Sequence, residues 1–150
     1  KQFSRIMSLK DGIKKMSKSD PSDLSRINLT DNKEEILNKI KKAKTDPLKL
    51  PNDIKGLPQR PEAENLLGIY SSLKSQSLEN SISEFKGKNF SEFKEKLSEI
   101  LIEKIEPISK EIKRLLEDKN YLDSILLEGS NKADKIAAKK IKEMKDLVGF

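Results

Sequence analysis

The residues of this 150-residue chain best suited to chemistry sit together near its start, in Lys14-Lys15-Met16-Ser17-Lys18-Ser19-Asp20. The segment is strongly basic, and no apolar period in it calls for burial. Two ammonium groups three residues apart, Lys15 and Lys18, with small hydroxyl side chains among them, can wrap a polyphosphate from two sides of a flexible loop. At about 4 Å and an effective dielectric near 20, one lysine–phosphate contact amounts to ~4 kcal/mol before desolvation is subtracted. In a loop that tightens as charge develops on a departing pyrophosphate, the lysines lower the barrier electrostatically and need no proton transfer. Such chemistry uses neither His nor Cys, and the sequence has none of either. Within these residues that excludes a disulfide framework, a thiolate or imidazole metal site, a cysteine nucleophile and a Ser-His triad.

The formal charge is +6, and it is not evenly spread. Residues 1–50 hold 13 Lys and Arg against 7 Asp and Glu, whereas residues 51–150 hold 18 of each. A concentrated excess points to an anion site, such as nucleotide phosphates or an RNA backbone; a solvated lysine-rich surface is the alternative that charge alone leaves open. Leu, Ile, Val and Phe make up 41 of the 150 residues, enough for a folded core, and the length fits one domain. The longest apolar runs, such as Ile100-Leu101-Ile102, fall far short of the ~20 residues needed to span a bilayer. With no basic-then-apolar leader and Lys1 in first place, the expectation is a cytoplasmic piece of something longer.

Around the basic segment the elements read as follows. Residues 3–9 form a short apolar-rich strand, stopped by the turn-forming pair Asp11-Gly12, and residues 13–21 a loop. A lone strand leaves its backbone groups unpaired, so this one is expected to be an orphan whose sheet lies elsewhere. Asp31 with Glu34 suggests a capping box, and Ile36, Leu37, Ile40 and Ala43 form one helical stripe up to about Lys44. Pro47, Pro51, Gly56, Pro58 and Pro61 make residues 45–61 a surface loop. A helix follows from Pro61, then a short one from Leu78 to Lys86 ended by Gly87. The longest runs from Asn89 to about Asp118, with Pro107 expected to kink it. Tyr121 to Leu126 reads as a short helix stopped by Gly129, and Ala133, Ile136, Ala137, Met144 and Leu147 mark a last one. The fold class is therefore all-α, a helical bundle with one apolar centre preceded by an orphan strand and the basic loop.

Lys15-Met16-Ser17-Lys18-Ser19 reads as the KMSKS signature of class I aminoacyl-tRNA synthetases. Its flanks, Arg5-Ile6-Met7-Ser8-Leu9 and Asp20-Pro21, resemble the tryptophanyl-tRNA synthetase family in particular. Ordered matches to that family continue through Ile27-Asn28-Leu29-Thr30-Asp31, Lys39-Ile40, Ala43-Lys44-Thr45-Asp46, Asn65-Leu66-Leu67-Gly68-Ile69-Tyr70, Pro107-Ile108, and Gly129 with Ala133 and Ile136-Ala137. The resemblance implies activation of tryptophan with ATP, Mg2+ accompanying the nucleotide, and transfer to tRNA(Trp). It implies Lys15 and Lys18 as the catalytic cations. Ile6, Lys15, Met16, Ser17, Lys18 and Ser19 are implied as the ATP-binding set, with Ile6 and Met16 near the adenine and Ser19 shaping the loop.

The same resemblance implies two parts. Residues 1–30 would be the C-terminal remnant of a truncated Rossmann-type catalytic domain carrying the loop, and residues 31–150 an anticodon-binding-type helical domain. The family's histidine-based signature and its tryptophan pocket fall outside these residues, so the piece is expected to be inactive alone and to belong to a cytoplasmic homodimer. Candidate RNA-facing groups are Lys110, Lys113 and Arg114, or Lys139, Lys140 and Lys142; solvated helix surface explains either set as well. Two other readings stay open: a non-catalytic helical RNA-binding module and a helical protein-interaction domain.

Overall fold

The computed structural model describes residues 5–149. It is mostly helical. In chain order it has two short strands, β1 (Met7–Ser8) and β2 (Asp11–Lys15), and five helices: α1 (Lys33–Lys42), α2 (Pro61–Lys74), α3 (Leu78–Phe85), α4 (Phe90–Glu117) and α5 (Lys119–Val148). Single 3-10 turns occupy Asp23–Ser25 and Ile54–Gly56. Contacts divide the chain into two units, Lys1–Lys110 and Glu111–Phe150.

The helix boundaries follow local chemistry. The first cap is shifted by one residue from the expected Asp31 and Glu34. Asn32 Oδ1 accepts from the Glu35 amide at 3.0 Å, and the Glu35 carboxylate accepts from the Asn32 amide at 2.7 Å. Asp31 is unavailable as a cap because its carboxylate is buried and already bonded to Lys39 and Asn28. Pro61 opens α2, where its missing N–H is an orphan in any case. Ser77 caps α3 by accepting from the Asn80 amide at 3.2 Å, and Gly87, at φ 67°, turns the chain after it. α4 runs on through Pro107.

In the first unit the core draws on one face each of α1, α3 and α4, and on α2, which is buried nearly all round from Asn65 through Gly68. Ile36 and Ile40 of α1, Leu67 of α2, and Phe93 and Leu97 of α4 are fully buried. Tyr70, Phe85 and Phe93 stack edge to face with centroids 4.9–5.8 Å apart. Each such side chain contributes about 1.5–3 kcal/mol by leaving water. Burial raises the Tyr70 phenol above its ordinary value, and its bond to the Glu84 carboxylate at 2.8 Å adds to the effect.

The strand at residues 3–9 is not an orphan, which corrects the expectation. β1 pairs antiparallel with β2, Met7 opposite Lys15 and Ser8 opposite Asp11, around a turn at Leu9-Lys10, with an irregular register between Met7 and Ser8. Asp11-Gly12 is therefore strand, not turn, and the expected loop begins only after Lys15. The other side of Met7 is closed by a side chain: Asn65 of α2 donates to its carbonyl and accepts from its amide, both at 2.9 Å. Phe3 and Ser4 of the expected strand, and Phe150, lie outside the described residues.

The second unit holds the end of α4 and α5. Gly129 does not stop a helix, contrary to expectation; α5 continues through it for 30 residues. An interior glycine costs only about 1 kcal/mol relative to alanine, too little to end a helix of this length. α5 buries none of its residues, with Ile136 at 71% and Leu147 at 86% exposure. The single apolar centre expected for all the helices is thus confined to α1–α4.

Candidate nucleotide-phosphate site

The hairpin is held where β2 can deliver its lysines. Gly12 lies against the first turn of α2 so closely that a Cβ there would stand 2.6 Å from the Glu62 nitrogen and the Pro61 carbonyl carbon. The Glu62 carboxylate there meets Lys44 at 2.8 Å; Lys44 first, and then backbone amides, hold that carboxyl below its usual range. Leu9, the buried residue at the turn, donates its amide to Ser25 and accepts from the Lys44 amide at 2.7 Å. The hairpin is tied at both ends.

Beyond β2 the chain turns tightly. The Met16 amide donates to the Ile6 carbonyl at 3.0 Å, while the Met16 side chain packs on the core. The Ser17 hydroxyl accepts from the Ser19 amide at 3.3 Å and lies 3.0 Å from the Ser19 hydroxyl, a small turn stabilised by its own serines. Asp20 Oδ1 then accepts from the Ser22 amide at 2.8 Å.

A cleft of about 550 Å³ opens between this segment and residues 26–29. Of the six expected binding residues, Ile6, Lys15, Met16, Ser17 and Lys18 line it; Ser19 does not, and acts on Ser17 instead. Ile6 is 47% exposed and precedes β1, so it faces the cleft and is not a buried strand residue. Lys15 and Lys18 are exposed and form no ion pair with any carboxylate among the described residues, whereas neighbouring Lys14 meets Asp11 at 3.6 Å. Apolar side chains from Ile6, Met16, Ile27 and Leu29 offer a surface for a flat ring, and the two lysines offer charge to an attached polyanion. Among the described residues no group of three or more His, Cys, Asp or Glu is arranged to hold a metal ion.

Five lining residues were not expected as site residues: Arg5, Arg26, Ile27, Asn28 and Leu29. Arg26 is committed to structure. It donates to the Asp20 carbonyl at 2.8 Å and to Asn28 Oδ1 at 3.2 Å, and meets Asp23 at 3.0 Å. Behind it Lys39 is 2% exposed, with its Nζ 2.7 Å from both Asp23 and Asp31. Burial alone would depress this ammonium, but the two carboxylates outweigh it and hold the pKa above the ordinary lysine value. Lys39, with Asn28 next, holds the Asp23 carboxyl below its ordinary value. Only the short spacing from Asp31 to Lys39 within one helical entry could have hinted at this cluster.

The sequence matches the family described as tRNA synthetases class I (W and Y) over residues 2–106. It is 52% identical over 146 residues to the tryptophan–tRNA ligase of Agrobacterium fabrum, covering 97% of this chain and 41% of that protein. It is 50% identical to the tryptophan–tRNA ligase of Rickettsia felis, covering 97% and 44%. The crystal structure of tryptophanyl-tRNA synthetase from Mycoplasma pneumoniae superimposes with a TM-score of 0.73 at 28% identity, over 97% of this chain and 44% of that one. The chain spans about two fifths of the length of the curated relatives it matches. With the match running from the hairpin and its cationic segment through the helices behind them, the chain belongs to the class I tRNA synthetases of the tryptophan and tyrosine family.

Proposed function

We propose that this chain forms part of a tryptophan–tRNA ligase and supplies its phosphate-binding loop and helical tRNA-facing region. In the reaction the tryptophan carboxylate attacks the α-phosphorus of ATP, and the bond to pyrophosphate breaks. Lys15 and Lys18 meet the negative charge gathering on the departing pyrophosphate, and their contribution is electrostatic, with no proton transfer required. Ile6 and Met16 give the adenine an apolar seat, Ser17 lies on the loop between the two cations, and Ser19 holds the turn through Ser17. Mg2+ enters with the nucleotide as part of the substrate. The observation that carries this reading is the pair of cations, without carboxylate partners among the described residues, on one partly apolar cleft.

On this reading residues 1–30 complete a Rossmann-type catalytic domain, residues 31–150 face tRNA(Trp), and the tryptophan pocket comes from the part of the relatives that the match does not span. The whole enzyme works as a cytoplasmic homodimer, and the 150 residues alone are inactive. The test is Lys18→Ala in the protein at the full length of its relatives. Tryptophan-dependent ATP–pyrophosphate exchange should fall roughly a hundredfold or more with the unfolding midpoint retained. An unchanged rate would remove the loop from the mechanism.

A further inference from the structure

The cleft wall opposite Lys15 and Lys18 hangs on one buried side chain. Asp23 and Asp31 bracket the stretch that supplies Arg26, Ile27, Asn28 and Leu29 to the cleft, and Lys39 of α1 binds both carboxylates at 2.7 Å. Asn28, midway between them, donates its side-chain amide to Asp23 at 3.0 Å and Asp31 at 3.1 Å, and its backbone amide to Asp31 at 2.8 Å. Arg26 carries the connection onward, from Asn28 and Asp23 to the carbonyl of Asp20 at the exit of the lysine segment.

A buried ion cluster is poor evidence for added stability, since well-packed apolar side chains often serve as well. What it supplies is geometry: each carboxylate oxygen has a defined donor, so the stretch can adopt one arrangement. No buried side-chain nitrogen or oxygen among the described residues lacks a partner. The entrance to the lysine segment is fixed separately by Met16 on Ile6. Lys15, Ser17 and Lys18 are thereby presented between two braced ends, although Lys39 never reaches the cleft.

We propose that Lys39 is a positioning residue for the phosphate-binding segment, acting through Asp23, Asp31, Asn28 and Arg26 to hold the cleft wall and the exit of the loop. The catalytic part of this inference rests on the reading of Lys15 and Lys18 given above. A misplacement of about 1 Å remote from the chemistry can cost a hundredfold in rate. Lys39→Met keeps the stem and removes the charge. In this chain it should speed amide hydrogen exchange at residues 17–20, at Ser22 and at residues 26–29 by about tenfold or more, while α2 and the first half of α4 keep their protection. In the protein at full relative length it should lower kcat for tryptophan activation by about tenfold or more with the KM for tryptophan unchanged, and Lys39→Arg should recover part of the loss. Exchange that is unaltered, or raised uniformly through the core, overturns the proposal. A local rise in exchange with an unaltered rate upholds the positioning and overturns instead the catalytic role of the loop. Should Lys39→Met not fold, Asp23→Ala, at a site whose side chain is 58% exposed, cuts one arm of the same connection and must give the same local pattern, or the proposal fails.

Discussion

Gly12→Ala is a one-methyl change whose consequence can be worked from distances. The φ angle at Gly12 is open to alanine; the obstacle is space. An added Cβ would stand 2.6 Å from the Glu62 nitrogen and the Pro61 carbonyl carbon and 2.8 Å from the Pro61 oxygen, all of them backbone. Optimal separation for such atoms is about 3.5 Å, so the hairpin must retreat from α2 by nearly 1 Å. Side chains cannot absorb this, because every atom in the way belongs to the first turn of a helix. Overpacking of this kind costs about 1–3 kcal/mol. Retreat also stretches the two Asn65–Met7 hydrogen bonds, each worth roughly 1 kcal/mol net. A loss of about 2 kcal/mol, at 2–4 °C per kcal/mol for a chain of this size, predicts a Tm lower by roughly 4–8 °C. Thermal unfolding followed by circular dichroism measures it, with amide exchange at Met7 and Leu9 reporting the hairpin. A Tm within about 1 °C of the parent, with those amides equally protected, would refute the close docking of β2 on α2.

Two further expectations concern the rest of the chain. Partial burial disfavours charge on Asp46, yet two hydrogen bonds from Arg60, at 2.8 and 2.9 Å, hold its carboxyl below the usual range. A folded-state pKa below the unfolded value means that the unfolded chain binds more protons between the two. The stabilisation is therefore complete above about pH 5 and fades as pH falls through about 4 toward the folded value. Asp46→Asn should flatten urea midpoints between pH 3 and 6, and a slope equal to the parent's would contradict this. Gly129→Ala should stabilise α5 by about 0.5–1 kcal/mol, because the new methyl meets nothing within 4 Å; unchanged or reduced helicity on heating would count against a continuous α5.

How legible each feature was in the sequence depended on whether its cause was local. The helical stripe of Ile36 and Ile40, the start at Pro61 and the stop before Gly87 each express the preferences of neighbouring residues, and all appear in the structure. The lysine segment stood out because its charge and hydroxyls had no packing role. The misreadings share a remote cause. Asp11-Gly12 carries turn letters, but Gly12 is needed for contact with Pro61 and Glu62, 49 and 50 positions further on. Asp31 looks like a helix cap until Lys39 takes its carboxylate, leaving the cap to Asn32. Lys39 itself reads as one more surface lysine in a basic helix, and only the folded chain brings Asp23 to it. Gly129 looks like a stop, but helical hydrogen bonds on both sides outweigh one glycine.

Lysine footprinting addresses the central claim most directly. In the protein at the full length of its relatives, acetylation of every lysine is compared with and without ATP and tryptophan. Lys15 and Lys18 should be shielded by the ligands, while Lys14, paired with Asp11, and Lys139 on α5 should react as before. Equal labelling of Lys15 and Lys18 in both conditions, with the ligands shown to be bound, would contradict the assignment of these cations to the nucleotide's phosphates.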